Sequence, residues 1–114
     1  MIDCLFCRIV LGEVPADIVY SDENVLAFRD IQPIAPVHVL VVPRRHIASY
    51  SAAAEEDAGL LGKLALTAAR VAQQEGVAES GYRTMVNTGP DAQQSVHHLH
   101  LHVLGGRQFG WPPG

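Results

Sequence analysis

The stretch Val96-His97-His98-Leu99-His100-Leu101-His102-Val103-Leu104 decides the reading of this chain. Imidazole and apolar side chains alternate through it, and strict alternation marks a β-strand, whose successive side chains point to opposite faces. A strand over Val96–Leu104 puts His98, His100 and His102 on one face, with alternate residues roughly 7 Å apart. His97, Leu99, Leu101 and Val103 fall on the other face, which is apolar enough to pack on a helix. A solvated edge strand has no need of histidine, since Thr, Lys or Ser would serve as well. Imidazoles in one straight row also spread too far to close a zinc tetrahedron by themselves. A neutral imidazole is a nucleophile at physiological pH, and its neighbours can donate protons or balance phosphate charge. The row therefore points to covalent catalysis by a set of coupled, mutually repelling groups.

Working outward, Val37–Val42 is a β-branched apolar run stopped by Pro43, as expected of a buried central strand. It carries His38, which can fix the tautomer of a neighbouring imidazole if this strand lies beside the histidine strand. Asp17–Tyr20 and Val25–Phe28 flank the polar turn Ser21-Asp22-Glu23-Asn24 and predict a hairpin. Asp30–Pro36 holds two prolines and is irregular. Leu60, Leu61, Leu64, Ala68, Val71 and Ala72 recur at three- and four-residue steps and predict one long helix over Ala53–Glu75, ended by Gly76. Glu55, Glu56 and Asp57 suit the positive end of its dipole. Tyr82–Asn87 is a further strand, and a short apolar piece, Leu5–Leu11, precedes the first turn. The pattern is α+β, a five-stranded antiparallel sheet with one main helix. Residues 1–114 read as a single domain, of which 105–114 form an irregular Gly- and Pro-rich tail.

The 114 residues are 48% hydrophobic and 18% charged, with a formal net charge of -4. No basic stripe is visible, so duplex nucleic acid is not an expected partner. A single nucleotide needs only a local phosphate site and stays open. The N-terminus shows no signal-peptide pattern and no run is long enough to span a membrane, so a cytoplasmic protein is expected. In a reducing compartment, Cys4 and Cys7 read as a metal or redox pair before they read as a disulfide.

The segment His98-Leu99-His100-Leu101-His102-Val103-Leu104 resembles the histidine-triad family, and the likeness runs along nearly the whole chain. Asp30-Ile31-Gln32-Pro33, Ala35-Pro36-Val37-His38 and Pro43-Arg44-Arg45-His46-Ile47 are similar to its N-terminal half. Gly81-Tyr82-Arg83, Val86-Asn87 and Gln94-Ser95-Val96 follow in order. The ending Gly105-Gly106-Arg107-Gln108 with Trp111-Pro112-Pro113-Gly114 resembles the Hint branch. The resemblance implies sheets joined across a homodimer and hydrolysis of purine nucleoside 5'-monophosphoramidates, of the AMP and GMP type, through a nucleotidyl-histidine intermediate. It implies His100 as nucleophile, with His98, His102 and His38 orienting it and binding phosphate. Ser95 would contact the leaving group, and Gln94 and Asn87 the phosphate or nearby backbone. Asp30 would take the ribose hydroxyls, Ile31 line the base pocket, and Trp111 reach the partner subunit to help select the leaving group. No catalytic cofactor is implied. The related dinucleoside-polyphosphate hydrolases and nucleotidyl transferases share the triad but not this ending. A nucleotide-binding interaction protein with incidental catalysis is the rival outside the enzymes. Gln93 stands where many Hint proteins have Gly, His97 replaces a residue that is usually aromatic, and Phe109-Gly110 replaces a Met-His type pair.

Cys4-Leu5-Phe6-Cys7 resembles the start of bacterial histidine-triad proteins, some of which hold zinc there. Two thiolates at this spacing can reach one tetrahedral ion. The resemblance implies His46 and His98 as the other ligands, in a closed and therefore structural site. The alternatives are two small, partly buried cysteines, or a redox pair, which normally opens a helix after a buried strand.

Overall fold

The structure, a computed structural model, describes residues 3–114. Its elements in chain order are α1 (Leu5–Val10), β1 (Ile18–Ser21), β2 (Val25–Arg29), β3 (Val37–Pro43), α2 (Ala58–Gln74), β4 (Tyr82–Met85) and β5 (Leu101–Gly105). The strands form one five-stranded sheet in the order β1-β2-β3-β5-β4, with antiparallel neighbours throughout. The expected α+β architecture with one main helix is the one observed. No helix among the described residues is long and apolar enough to cross a membrane.

Period two divides the sheet into two chemically different faces. Val25 and Ala27 of β2, Val39 and Val41 of β3, and Leu101 and Val103 of β5 share one face. It is covered by Leu64, Ala68, Val71 and Ala72 of α2, the stripe foreseen in the sequence. Each Val or Leu among them contributes roughly 1.5–3 kcal/mol when fully buried. The opposite face carries Leu26, Phe28, Leu40 and Val42 together with His38 and His102, and is capped by Phe6 and Ile9 of α1. The six residues of α1 were only an apolar piece in the sequence, too short to announce a helix. They fold because Cys4 caps them, its Sγ accepting from the Cys7 amide at 3.4 Å, and because Phe6 stands edge-on to Phe28.

The expected strand over Val96–Leu104 is shorter than the alternation implied, since β5 starts only at Leu101. The register supplies the reason. Val41 faces Leu101, so the next partner in line for Leu99 is Pro43, which has no N–H to give. The Leu99 amide turns instead to the Ile47 carbonyl at 2.7 Å. Residues 96–98 therefore bend, and His97 is exposed and not on the helix-facing side. The main helix also begins later than expected. Glu55–Asp57 form a 3-10 turn in which the Asp57 carboxylate accepts from the Ala54 amide at 2.9 Å and pairs with Arg45.

Where β5 runs out, Gly105 lies against Val77, and a Cβ built there would sit 2.9 Å from two Val77 carbons. Gly105→Ala should lower stability by about 1–3 kcal/mol, the usual cost of overpacking. Chemical denaturation will show this as a lower midpoint, partly recovered when Val77→Ala is added.

Candidate active site

Three histidines on the α1-facing side have their protons placed by backbone groups that can act in only one way. A carbonyl only accepts, so the contact of 2.7 Å between His100 Nδ1 and the His98 carbonyl puts the His100 proton on Nδ1. Its Nε2 is left with a bare lone pair. The contact of 2.8 Å between His98 Nε2 and the Pro43 carbonyl puts the His98 proton on Nε2 and leaves Nδ1 bare. An amide only donates, so the Ile34 N–H on His38 Nδ1, at 3.2 Å, leaves the His38 proton on Nε2. That nitrogen lies 2.9 Å from His102 Nδ1, which must accept, so His102 carries its proton on Nε2. The contact confirms that β3 lies beside the histidine strand.

His100 and His102 open onto a cleft of about 400 Å³, while His98 does not. The cleft is walled by apolar side chains, among them Leu5, Val14, Phe28 and Leu40. Asp30, Ile31 and Ser95 stand on its rim. Phe6 packs its ring edge-to-face against His100, with centroids 5.0 Å apart, and holds the imidazole upright. Burial pushes His102 down to about 4, with the charges of His100 and His38 acting the same way and Asp30 opposing. Burial also lowers His38, against the pull of Asp30. These rings are neutral at physiological pH. A depression of similar size beside Lys63 and Leu60 holds no imidazole, and its Arg44 and Arg45 are engaged by Asp22 and Asp57.

His98, fully buried at 0% exposure, points away from the cleft into a cluster with Cys4, Cys7 and His46. Its bare Nδ1 lies 3.4 Å from Cys4 Sγ, 3.5 Å from Cys7 Sγ and 3.2 Å from His46 Nδ1. Cys7 Sγ lies 3.3 Å from His46 Nδ1. Zinc bond lengths set tetrahedral edges of about 3.3 Å between nitrogens and about 3.5 Å between nitrogen and sulfur, so the donor set fits a zinc ion in size and type. Burial and the neighbouring Cys4 push the Cys7 thiol up to about 11, so it becomes a thiolate only with a cation to balance it.

Residues 11–109 match the family model of the HIT domain. This chain belongs to the HIT domain family. It is 54% identical over 112 residues to an uncharacterized HIT-like protein of Synechococcus elongatus, covering 98% of this HIT chain and 97% of the relative. A HIT family hydrolase from Legionella pneumophila superposes with a TM-score of 0.96 at 49% identity, covering 98% of this chain and 100% of that one. A histidine triad protein from Clostridium difficile superposes at 0.93 with 37% identity and 96% coverage of both.

The HIT fold brings His100, His102, Ser95, Asp30 and Ile31 to one cleft, buries His38 behind His102, and gathers Cys4, Cys7, His46 and His98 in the adjoining cluster. The side chain of Gln94 is spent on backbone: Nε2 donates to the Ala48 and Val96 carbonyls at 2.8 and 3.1 Å, and Oε1 accepts from Gly89 N at 3.1 Å. Asn87 lies just past β4, half-buried and off the cleft wall. Trp111 is 84% exposed and does not fold back on its own chain. Gln93, in the position read as a departure from glycine, keeps a left-handed backbone with φ 61°. Sequence reasoning missed Phe6, the Pro43 carbonyl and the Ile34 amide. Phe6 alone had a signal, as an aromatic inside the Cys-x-x-Cys.

Burial of neutral His102 sets a pH dependence. Its unfolded ring takes a proton near 6.5 and its folded ring only near 4, so stability present above pH 6.5 is lost as pH falls toward 4. Urea midpoints measured across that window should fall, and more steeply for the natural chain than for His102→Asn.

Proposed function

We propose that this HIT protein is a hydrolase of purine nucleoside 5'-monophosphoramidates, of the Hint branch, working through a covalent nucleotidyl-histidine. The observation that carries the reading is the bare Nε2 of His100, left by its Nδ1–H bond to the His98 carbonyl, beside the neutral His102 donor. The relative named a hydrolase adds support at 49% identity. In the proposed reaction His100 Nε2 attacks phosphorus and the P–N bond breaks. The departing amine takes the Ser95 hydroxyl proton, which the water of the second step restores. Water then attacks the nucleotidyl-histidine, releasing the nucleoside monophosphate and regenerating the imidazole. His102 Nε2–H serves the phosphate oxygens, where preorganised donors matter most, and His38 orients His102 from behind. Asp30 takes the ribose hydroxyls, and the apolar walls with Ile31 take the purine. Asn87, Gln94 and Trp111 complete the implied set around phosphate, backbone and leaving group.

Assembly as a homodimer belongs to the same proposal. β4 is the end strand of the sheet, and its outer edge is available to a second copy. Two unpaired thiols suit the cytoplasm. Cys4, Cys7, His46 and His98 are proposed to hold a structural zinc. The ion would lock the thiolates, and His98 would keep its carbonyl aimed at His100.

Turnover of an adenosine 5'-phosphoramidate set against a diadenosine polyphosphate tests the reading. Faster cleavage of the phosphoramidate is expected, and His100→Asn should reduce it by a factor of at least about 10³, the scale of losing a nucleophile. Preference for the polyphosphate would reassign the chain to the sister activity. Nucleotide binding without turnover would make it a binding protein.

Zinc is checked by elemental analysis of protein purified without added metal or chelator. One zinc per chain is expected, and Cys4→Ala should lose it together with several degrees of melting temperature. Metal-free protein whose melting is unchanged by Cys4→Ala would remove the site.

A further inference from the structure

Ser95, Val96 and Leu5 wall the cleft that holds His100 and His102, and the same three side chains wall a second depression of about 360 Å³. The second depression is thus a groove that continues the cleft past Ser95. Its volume is within the roughly 300–1,000 Å³ of ordinary ligand pockets. Asp3, His46 and His97 give the groove polar side chains where the cleft offers mainly apolar walls. His46 turns Nδ1 toward the thiol cluster, so Nε2 is the edge left for the groove. His97 owes its place to the ladder that Pro43 breaks. An unbroken strand would aim its side chain at α2, whereas the bend at residues 96–98 turns it outward, exposed, into the groove. The bend is held from inside by Gln94 Nε2, which donates to the Val96 carbonyl at 3.1 Å.

With phosphorus at His100 and the departing amine at Ser95, a substituent on that amine has the groove beside it. We infer that the groove is the subsite for the amine's substituent, and that His97 makes it select short aliphatic arms ending in a hydroxyl over apolar arms of the same length. The inference rests on the hydrolase reading above and adds the class of leaving group, an amino alcohol. A hydroxyl can donate to the Asp3 carboxylate or to a bare imidazole nitrogen, and can accept from an imidazole N–H. Leu5 and Val96 flank the carbons of the arm. An apolar end in the same place strips water from His97 and Asp3 and returns no hydrogen bond, which is the costlier exchange. His97 is therefore a specificity-determining residue. It meets the leaving group beyond the reacting nitrogen and takes no part in the chemical step.

The test uses the full chain and adenosine 5'-phosphoramidates that are unsubstituted or made from 3-aminopropan-1-ol or n-butylamine, two arms matched in length. The readout is the ratio of kcat/KM for the aminopropanol compound to that for the butylamine compound. Comparing this ratio between proteins cancels the two amines' own leaving ability. His97→Ala should lower it about fivefold, the scale of one net hydrogen bond, and His97→Phe should lower it at least as far. The unsubstituted phosphoramidate has no arm, and both variants should cleave it as the natural chain does. A ratio that both variants leave unchanged or raise would overturn the subsite and leave the hydrolase reading standing. Loss of the unsubstituted substrate in both variants would also overturn it, by making His97 part of the folded frame. Failure of the natural chain to cleave any of these compounds would overturn the hydrolase reading, and the subsite with it.

Discussion

Leu40 opposite His102 and Val39 opposite Val103 lie at the centre of the sheet, and both faces are assembled around that pairing of β3 with β5. It joins segments more than sixty residues apart, so its closure entropy is met only when both faces are filled. The α2 side supplies most of that filling with Val, Leu and Ala. The α1 side supplies less apolar surface and more chemistry. Because β3 and β5 are locked in one register, His38 meets His102 diagonally across the ladder with no freedom to slip, since a shift of one residue would turn every imidazole into the helix-facing core.

Backbone groups then do what side chains usually do in active sites. The Pro43 and His98 carbonyls and the Ile34 amide fix three ring tautomers, and each choice leaves a particular nitrogen free. His98 is the hinge of the arrangement: its ring belongs to the thiol cluster and its carbonyl to His100. The thiol cluster and the His100 ring thus meet through the two ends of one residue, which is why the cluster sits so near the cleft. Pro43 also has two functions. Its missing N–H ends the ladder, and its carbonyl receives the ring that the broken ladder turns aside.

How much of this was legible depends on how far each feature rests on local pattern. The strands and the helix stripe follow from periodicity and β-branching, which the sequence states directly, whereas the His38 contact depended on β3 lying beside β5, a pairing that local pattern does not carry. The Cys4, Cys7, His46 and His98 grouping came through family resemblance and is matched by donors at ligand spacing. The start of β5 was unreadable, because it depends on Pro43 falling opposite Leu99 across fifty-odd residues of chain. Helix α1 was unreadable because six residues carry no reliable period. The Gln94 side chain could be placed only by knowing which carbonyls surround it.

Gln93 has a consequence for how ligands enter. A non-glycine residue in the left-handed region costs about 1–2 kcal/mol, and Gln93 holds φ 61° nonetheless. The loop keeps that shape through the Gln93 and Gln94 amides, which reach the Pro90 and Gly89 carbonyls at 3.0 and 3.1 Å, and through the Gln94 side chain. It is a frame and not a flap. Ser95, at its end, is presented at a fixed height above the imidazoles. A ligand of the cleft would then meet a ready-made template at the entrance, one that favours visitors already of the right shape.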